Sequence, residues 1–329
     1  MIRIGINGFG RIGRLTMRAS LGSEQVKVVA INDLVDSATL AHLLKYDSVY
    51  GKLDVPVQAD PEGLRVGEDY IRVYSEREPA KIPWKESEVD LVVEATGRFR
   101  TREAASGHLK AGARRVVITA PGEADFMVVL GVNEERYNPQ EHFIISNASC
   151  TTNALAPVVK VLHEKFGLAK ALMNTTHAYT NDQVLLDLPH PDLRRARAAL
   201  SMIPTTTGAA KAVGLVIPEV EGKVDGFAVR VPSASVSLVD LVAELEQEVT
   251  PAQVNEAFKE AASGSRYLAF SDEPLVSIDY RGNPYSSTVD GLSTMVVGGN
   301  LIRIVAWYDN EWAYSCRVVD LAAFIAESE

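Results

Sequence analysis

Cysteine is scarce in this chain: Cys150 and Cys316 are the only two in 329 residues. So few thiols in so long a chain argue against a secreted fold built on disulfides. Long apolar runs are missing too, and no uncharged stretch approaches the ~18 residues that a membrane helix requires. Positive charge is in the minority, with 33 Lys and Arg against 43 Asp and Glu and a net charge of −10. That balance argues against nucleic acid or an anionic membrane as a partner for the bulk surface, although a local basic site can hide in an acidic average. There is no internal repeat and no low-complexity linker. A signal peptide is not expected either, because the first residues enter a strand pattern at once with Arg3 inside it. What is present is globular: 47% hydrophobic and 23% charged residues. The expectation is a soluble cytoplasmic protein, long enough for two domains of about 100–200 residues each.

The two halves differ in pattern. In the first, short apolar strands alternate with helical stretches: Arg3–Ile6, a helix over Arg11–Leu21, then strands at Val26–Ile31, Asp90–Val93 and Arg115–Ile118, with a helix over Arg102–Ala111. Alternation at this spacing predicts a parallel sheet wrapped by helices. The second half carries longer strand-like runs, Lys223–Val231, Ser235–Glu244 and Leu301–Tyr308, and Gly298-Gly299-Asn300 reads as a hairpin turn. A helix is expected from Thr250-Pro251-Ala252-Gln253, where cap, first-turn proline and returning glutamine coincide. The fold class expected is α/β: a dinucleotide-binding domain over 1–149 and an α+β domain with a mixed sheet over 150–310. A terminal helix over 311–329 is expected to pack back on the first domain.

Gly8-Phe9-Gly10-Arg11-Ile12-Gly13 matches G-x-G-x-x-G, which is weak alone and stronger in context. It follows a strand, opens a helix, and the next strand ends at Asp33, where the acid that binds a ribose is expected. The glycines would let the backbone approach a pyrophosphate held by the helix N-terminus. The alternative is a tight strand–helix turn with a surface aspartate.

Cys150 lies in Ser146-Asn147-Ala148-Ser149-Cys150-Thr151-Thr152-Asn153, small polar residues between an apolar strand (142–146) and a helix expected from Ala154 to Lys165. A thiol at a helix start ionises more easily, because free N–H groups and the dipole favour an anion. His177 follows 27 residues later. A fifteen-residue helix travels ~22 Å and the strand returning over Leu168–His177 covers ~30 Å, so the histidine can come back level with the thiol. Pro157 is expected to bend the intervening helix. A Cys–His pair forms thiolate and imidazolium and supplies a general acid/base.

Gly5 to Arg14, Ser146 to Asn153, His177 to Gln183 and Trp307-Tyr308-Asp309-Asn310-Glu311 together resemble phosphorylating glyceraldehyde-3-phosphate dehydrogenase, essentially end to end. The resemblance implies a homotetramer that uses NAD in glycolysis or gluconeogenesis, with Cys150 as nucleophile and His177 as base. It implies that a hemithioacetal becomes a thioester, which inorganic phosphate then attacks. For NAD it implies Gly8, Gly10, Arg11, Ile12, Asp33, Arg77, Thr96, Gly97, Thr119 and Asn310, the last at the nicotinamide carboxamide. Arg77 could equally belong to a surface ion pair within Glu76-Arg77-Glu78. For the two phosphates it implies Ser149, Thr151, Thr180, Arg195, Thr207, Gly208 and Arg230, whose hydroxyls, N–H groups and guanidinium forks suit phosphate oxygens. The run Leu193-Arg194-Arg195-Ala196-Arg197 could instead be a solvated basic surface, and spacing does not say which arginine points inward. No metal site is expected.

The nearest rival is erythrose-4-phosphate dehydrogenase, which shares thiol, base and cofactor. It tends to lose the Thr205 to Gly208 and Tyr179 to Asp182 stretches that are intact here. A Cys–His hydrolase would leave the dinucleotide motif unexplained, and nothing in the motifs or the charge points to a non-catalytic binding protein.

Overall fold

The computed structural model describes Met1–Ser328; Glu329, the final residue of the expected terminal helix, lies outside the described residues. The chain divides into two compact units. One comprises Met1–Val128, Glu135–Ser149 and the chain from Tyr314 onward; the other comprises Val129–Glu134 and Cys150–Ala313.

The first unit runs β1 (Ile2–Asn7), α1 (Arg11–Ser20), β2 (Val26–Asn32), α2 (Ser37–Lys45), β3 (Tyr46–Asp47), β4 (Gly51–Lys52), β5 (Val57–Asp60), β6 (Gly63–Val66), β7 (Asp69–Tyr74), β8 (Leu91–Glu94), α3 (Arg102–Lys110), β9 (Arg115–Ile118), β10 (Phe126–Met127) and β11 (Ile144–Ser146). Strands β3 and β4 form a separate hairpin; the main sheet has the order β10-β11-β9-β8-β1-β2-β7-β6-β5. Pairing is parallel from β10 through to β7. It turns antiparallel through β5, β6 and β7, an extension the sequence pattern did not announce. Leu91, Val92 and Val93 of β8 and Val116, Val117 and Ile118 of β9 are all buried. Such unbroken apolar runs are what a parallel sheet covered on both faces demands. Strand order reverses at β1, and ligands of open α/β sheets bind beyond the carboxyl ends of the strands at such a switch point. Side-chain caps start α2 and α3: Asp36 accepts from the Thr39 N–H and Thr101 from the Ala104 N–H.

The second unit contains α4 (Cys150–Phe166), β12 (Leu168–Ala178), β13 (Ile203–Thr206), α5 (Ala209–Val216), β14 (Val224–Val231), β15 (Ser237–Leu245), α6 (Pro251–Ala262), β16 (Leu268–Ser271), β17 (Ser287–Asp290), β18 (Met295–Val297) and β19 (Leu301–Tyr308). Its sheet has the order β13-β14-β12-β15-β19-β17-β16, with β18 paired to β19. The sheet is mixed, as expected: β12 runs parallel to β14 and antiparallel to β15. Thr250 and Gln253 form the capping box that opens α6. Gly298 and Gly299 turn the β18–β19 hairpin at φ of 61° and 87°, values that L side chains resist.

Three boundaries differ from the sequence reading by two residues or more, among them the strand expected over 142–146, which starts at Ile144 as β11. Helix α4 starts at Cys150 itself, not at Ala154, so the small polar residues form its first turn. Strand β15 starts at Ser237, not Ser235, because Val236 takes a φ of 65° and breaks the extended run. Helix α7 (Trp312–Ser328) closes the chain. Its Tyr314 hydroxyl donates to the Ala148 carbonyl at 3.0 Å, and its Phe324 ring lies 5.8 Å from that of Tyr137; all four residues belong to the first unit. No helix among the described residues is long and apolar enough to cross a membrane.

Candidate active site

The glycine loop of the first unit is shaped by close approach. Gly8 has φ of 91°, and a Cβ there would lie 2.8 Å from the Thr96 backbone nitrogen; at Gly13 it would lie 2.2 Å from the Gly8 carbonyl oxygen. At Gly10 and Gly97 an added Cβ would meet nothing within 4 Å, so the loop is open on that side. Gly10 caps α1 without any side-chain bond, which leaves first-turn N–H groups for an anion. Asp33, just past β2, accepts from the Phe9 N–H at 2.7 Å and the Val35 N–H at 3.1 Å, tying the acid to the loop. An open, uncapped helix start beside a fixed carboxylate fits the pyrophosphate and ribose of a dinucleotide.

Arg11 pairs with Asp47 at 2.5 Å, and Ile12 beside it is half-buried. Thr119 donates to the Glu94 carbonyl at 3.1 Å. Arg77 is exposed, while the neighbouring Glu78 pairs with Lys81. Sequence reasoning missed the buried polar group beneath this loop. The Glu94 carboxylate accepts from the Thr96 N–H (2.9 Å), Asn7 Nδ2 (2.6 Å) and His108 Nε2 (2.9 Å). Trp84 Nε1 donates to His108 Nδ1, and an indole only donates, so the histidine proton sits on Nε2 facing Glu94. The network pins Thr96 to the ends of β1 and β8. No motif marks it, because its members are spread from Asn7 to His108.

In the second unit the thiol stands on the first residue of α4. The turn before it passes through Ala148 at φ of 53°, a left-handed conformation that costs a non-glycine residue of order 1 kcal/mol. Cys150 Sγ lies 3.5 Å from His177 Nε2 and 4.0 Å from Thr151 Oγ1, and the thiol is free of any disulfide. Thr151 Oγ1 meets the Tyr308 hydroxyl at 2.9 Å, which also meets Thr175 Oγ1 at 2.9 Å. The Tyr308 ring stands edge-on to the imidazole at 5.9 Å.

Strand register brings a cation to the same place. His177 on β12 pairs with Arg230 on β14, and Arg230 Nη1 lies 2.6 Å from His177 Nδ1 and 3.0 Å from the Ala178 carbonyl oxygen. Its Nε is buried without an acceptor. Burial pushes the Cys150 thiol up, against the pull of the Arg230 charge. Burial and then Arg230 push the imidazole down to about 3. Burial thus works against charge on both members of the pair, while the nearby Arg230 guanidinium favours the thiolate and disfavours the imidazolium.

The other anion-binding candidates are placed as follows. Arg195 bonds Thr205 Oγ1 through Nη2 at 2.7 Å and pairs with Asp182 and Asp192, so it points inward and is not part of a solvated basic strip. Arg194 reaches the Pro204 carbonyl at 3.4 Å. The Thr180 N–H donates to Gln183 Oε1 at 2.8 Å. Thr207 Oγ1 accepts from the Ala209 N–H at 3.1 Å, and Gly208 caps α5 without a side-chain bond. Ser149, half-buried, immediately precedes the thiol. Asn310 Oδ1 accepts from Ser237 Oγ at 3.0 Å, and Ser237 Oγ also accepts from the Ala178 N–H at 3.1 Å. Ser237 thus ties the end of the His177 strand to Asn310. Its only sequence signal would have been the strained Val236, which spacing does not reveal.

Residues 2–102 match the NAD binding domain of glyceraldehyde 3-phosphate dehydrogenase, and residues 149–310 match its C-terminal domain. The chain is 59% identical over 329 residues to the glyceraldehyde-3-phosphate dehydrogenase of Geobacillus stearothermophilus, covering 99% of this chain and 98% of that one. It is 58% identical over 330 residues to glyceraldehyde-3-phosphate dehydrogenase 1 of Bacillus subtilis, with the same coverage. By both family matches and by identity over its whole length, the chain belongs to the glyceraldehyde-3-phosphate dehydrogenase family of oxidoreductases, and its cofactor is NAD.

Proposed function

We propose that the site oxidises glyceraldehyde 3-phosphate and passes the acyl group to inorganic phosphate, giving 1,3-bisphosphoglycerate. The observation that carries this reading is the Cys150 Sγ at 3.5 Å from His177 Nε2. Cys150 attacks the aldehyde carbon, the proton given up by the thiol ends on the aldehyde oxygen as the hemithioacetal hydroxyl, and the developing oxyanion is met by His177 and the Cys150 backbone N–H, donors fixed before the reaction begins. His177 Nε2 then takes the proton of the hemithioacetal hydroxyl as the carbon–hydrogen bond breaks, leaving a thioester on Cys150. NAD, when bound, supplies the acceptor for that hydride. Phosphate attacks the thioester carbon and the thiolate departs. Arg230, with its buried unpaired Nε, is the residue we assign to the substrate phosphate; Arg195 and Thr180 assist it. Ser149, Thr151, Thr207 and Gly208 are assigned to the attacking phosphate.

In the cofactor half we assign the pyrophosphate to Gly8, Gly10, Arg11 and Ile12, the adenosine ribose to Asp33, and the adenine edge to Arg77. Thr96, Gly97 and Thr119 line the remaining dinucleotide, and Asn310 holds the carboxamide with its Nδ2 donors while Ser237 occupies its Oδ1. The domain boundary belongs to the same reading, with residues 1–149 and the terminal helix as the cofactor domain and 150–310 as the catalytic one. So does assembly into a homotetramer: exposed apolar side chains Leu172, Phe227 and Val242 stand on the adjacent strands β12, β14 and β15. Two cysteines, neither in a disulfide, suit the reducing cytoplasm. Neither the site nor the family matches favour erythrose 4-phosphate.

NADH formation from glyceraldehyde 3-phosphate tests the reading directly. Sustained turnover is expected only with inorganic phosphate, reduced to a single enzyme equivalent without it, and lost after thiol alkylation. Sustained turnover without any phosphate would remove the acyl-transfer step.

NAD is expected to be preferred over NADP by about a hundredfold in kcat/KM, or ~2.8 kcal/mol. Asp33, anchored on the Phe9 N–H, would face a 2′-phosphate with like charge, and the exposed Leu34 after it offers no hydroxyl. Leu188-Pro189 likewise offers no hydroxyl. Values within tenfold of each other would overturn the role given to Asp33.

A further inference from the structure

The ladder between β12 and β15 breaks at Val236, and one hydroxyl fills the gap. Thr175 stands opposite Val239 and Thr176 opposite Leu238, so a continued ladder would bring Ala178 to Val236. Val236 instead takes a φ of 65°, a left-handed conformation that strains a β-branched side chain. The Ala178 N–H, left without a ladder partner on that side, donates to Ser237 Oγ at 3.1 Å. The same hydroxyl donates to Asn310 Oδ1 at 3.0 Å. Ser237 is buried, and its side chain makes no other hydrogen bond among the described residues.

Counting protons fixes the amide. A serine hydroxyl has one proton to give, and a backbone N–H is a donor that cannot receive it. The proton therefore goes to Asn310, and the atom that takes it is the amide oxygen. With the amide flipped, its NH2 would donate to the second lone pair of Ser237 Oγ, and the hydroxyl proton would be buried with no acceptor. A buried donor left unpaired loses its hydration with nothing in return, which is the costly side of a broken hydrogen bond. Oδ1 thus faces Ser237, and Nδ2 faces away from it with no protein partner among the described residues.

We propose that Ser237 is a positioning residue that locks the Asn310 amide and so makes the site select a hydrogen-bond acceptor on the nicotinamide ring. This rests on the reading that Asn310 holds the carboxamide. The locked amide offers only N–H donors, so the carbonyl oxygen of the cofactor is read and its NH2 is not. A ring substituent that can only donate would meet Asn310 donor against donor. The second bond of Ser237 ties this lock to the base. Ala178 follows His177, and its carbonyl oxygen lies 2.7 Å from His177 Nδ1. One hydroxyl therefore holds both the peptide that seats the imidazole and the amide assigned to the nicotinamide.

The test is a fluorescence binding titration with two NAD analogues altered only at the carboxamide. The acetylpyridine analogue keeps the carbonyl oxygen and has no NH2, whereas the aminopyridine analogue has the NH2 and no carbonyl. The unaltered protein should bind the acetyl form roughly tenfold tighter than the amino form, the scale of one mismatched donor. Ser237→Ala removes the hydroxyl proton, so Asn310 can turn its oxygen outward. The affinity ratio should then fall below about twofold, through tighter binding of the amino form. A merely structural role for Ser237 would weaken both analogues alike and leave the ratio standing. Asn310→Asp, which presents acceptors alone, should reverse the preference. Equal binding of the two analogues by the unaltered protein would overturn the lock. So would an unchanged ratio in Ser237→Ala beside a reversed one in Asn310→Asp. An unchanged ratio in Asn310→Asp would instead remove the carboxamide reading beneath it.

Discussion

Cys150→Ser is expected to abolish aldehyde oxidation while NAD still binds. In the proposed mechanism the sulfur is the atom that bonds to the substrate, and serine has no comparable nucleophile at neutral pH without a dedicated strong base. Burial holds the Cys150 thiol up and the Arg230 charge opposes that rise, favouring the thiolate; a hydroxyl at the same place stays protonated. The groups assigned to the cofactor in the first unit, the glycine loop and Asp33, make no use of the thiol. Two measurements separate the cases. NADH formation in a single turnover should fall below detection, and a fluorescence titration with NAD should match that of the unaltered protein. A surviving burst of NADH would exclude covalent catalysis by Cys150, and a loss of NAD affinity would show that the substitution had disturbed more than the nucleophile.

His177→Asn is expected to slow turnover by roughly 10²–10⁴, the contribution of a positioned acid/base. Asparagine keeps a polar group near the sulfur but has no nitrogen that can accept the hydroxyl proton. The same change removes the donor 3.5 Å from Cys150 Sγ, so alkylation of the thiol should slow as well. The imidazole is buried and bound on β12 between Tyr308 and Arg230, so thermal melting and NAD titration must accompany the kinetics. Alkylation at the unaltered rate would break the link between Cys150 and His177. Turnover within tenfold of the unaltered enzyme would give the base role to another group.

Much of the fold was legible because it rests on local pattern. The strand–helix alternation of the first half follows from apolar runs and caps that act over a few residues, and so does the Thr250–Gln253 box that opens α6. The hairpin at Gly298-Gly299 was readable because only glycine tolerates its φ values. The antiparallel strands β5 to β7 escaped notice, since their short half-exposed runs carry no strong alternation. The start of α4 was placed four residues late because Cys150, Thr151, Thr152 and Asn153 have weak helix propensity. Tertiary burial overrides that propensity here: Thr151, Thr152 and Asn153 are all enclosed.

The sequence by itself determined the family and the cofactor class and pointed to Cys150 and His177 as a pair, because long motifs and chain-length arithmetic are local or nearly so. Tertiary structure alone decided what surrounds them. Arg230 reaches His177 because parallel pairing of β12 with β14 places residues 53 positions apart side by side. Ser237 holds Asn310 across 73 positions, and Glu94 gathers Asn7, Thr96 and His108 beneath the glycine loop. Each of these contacts depends on strand register and on which face a side chain takes. A one-residue slip in register would reverse both, and no single segment of sequence encodes that choice.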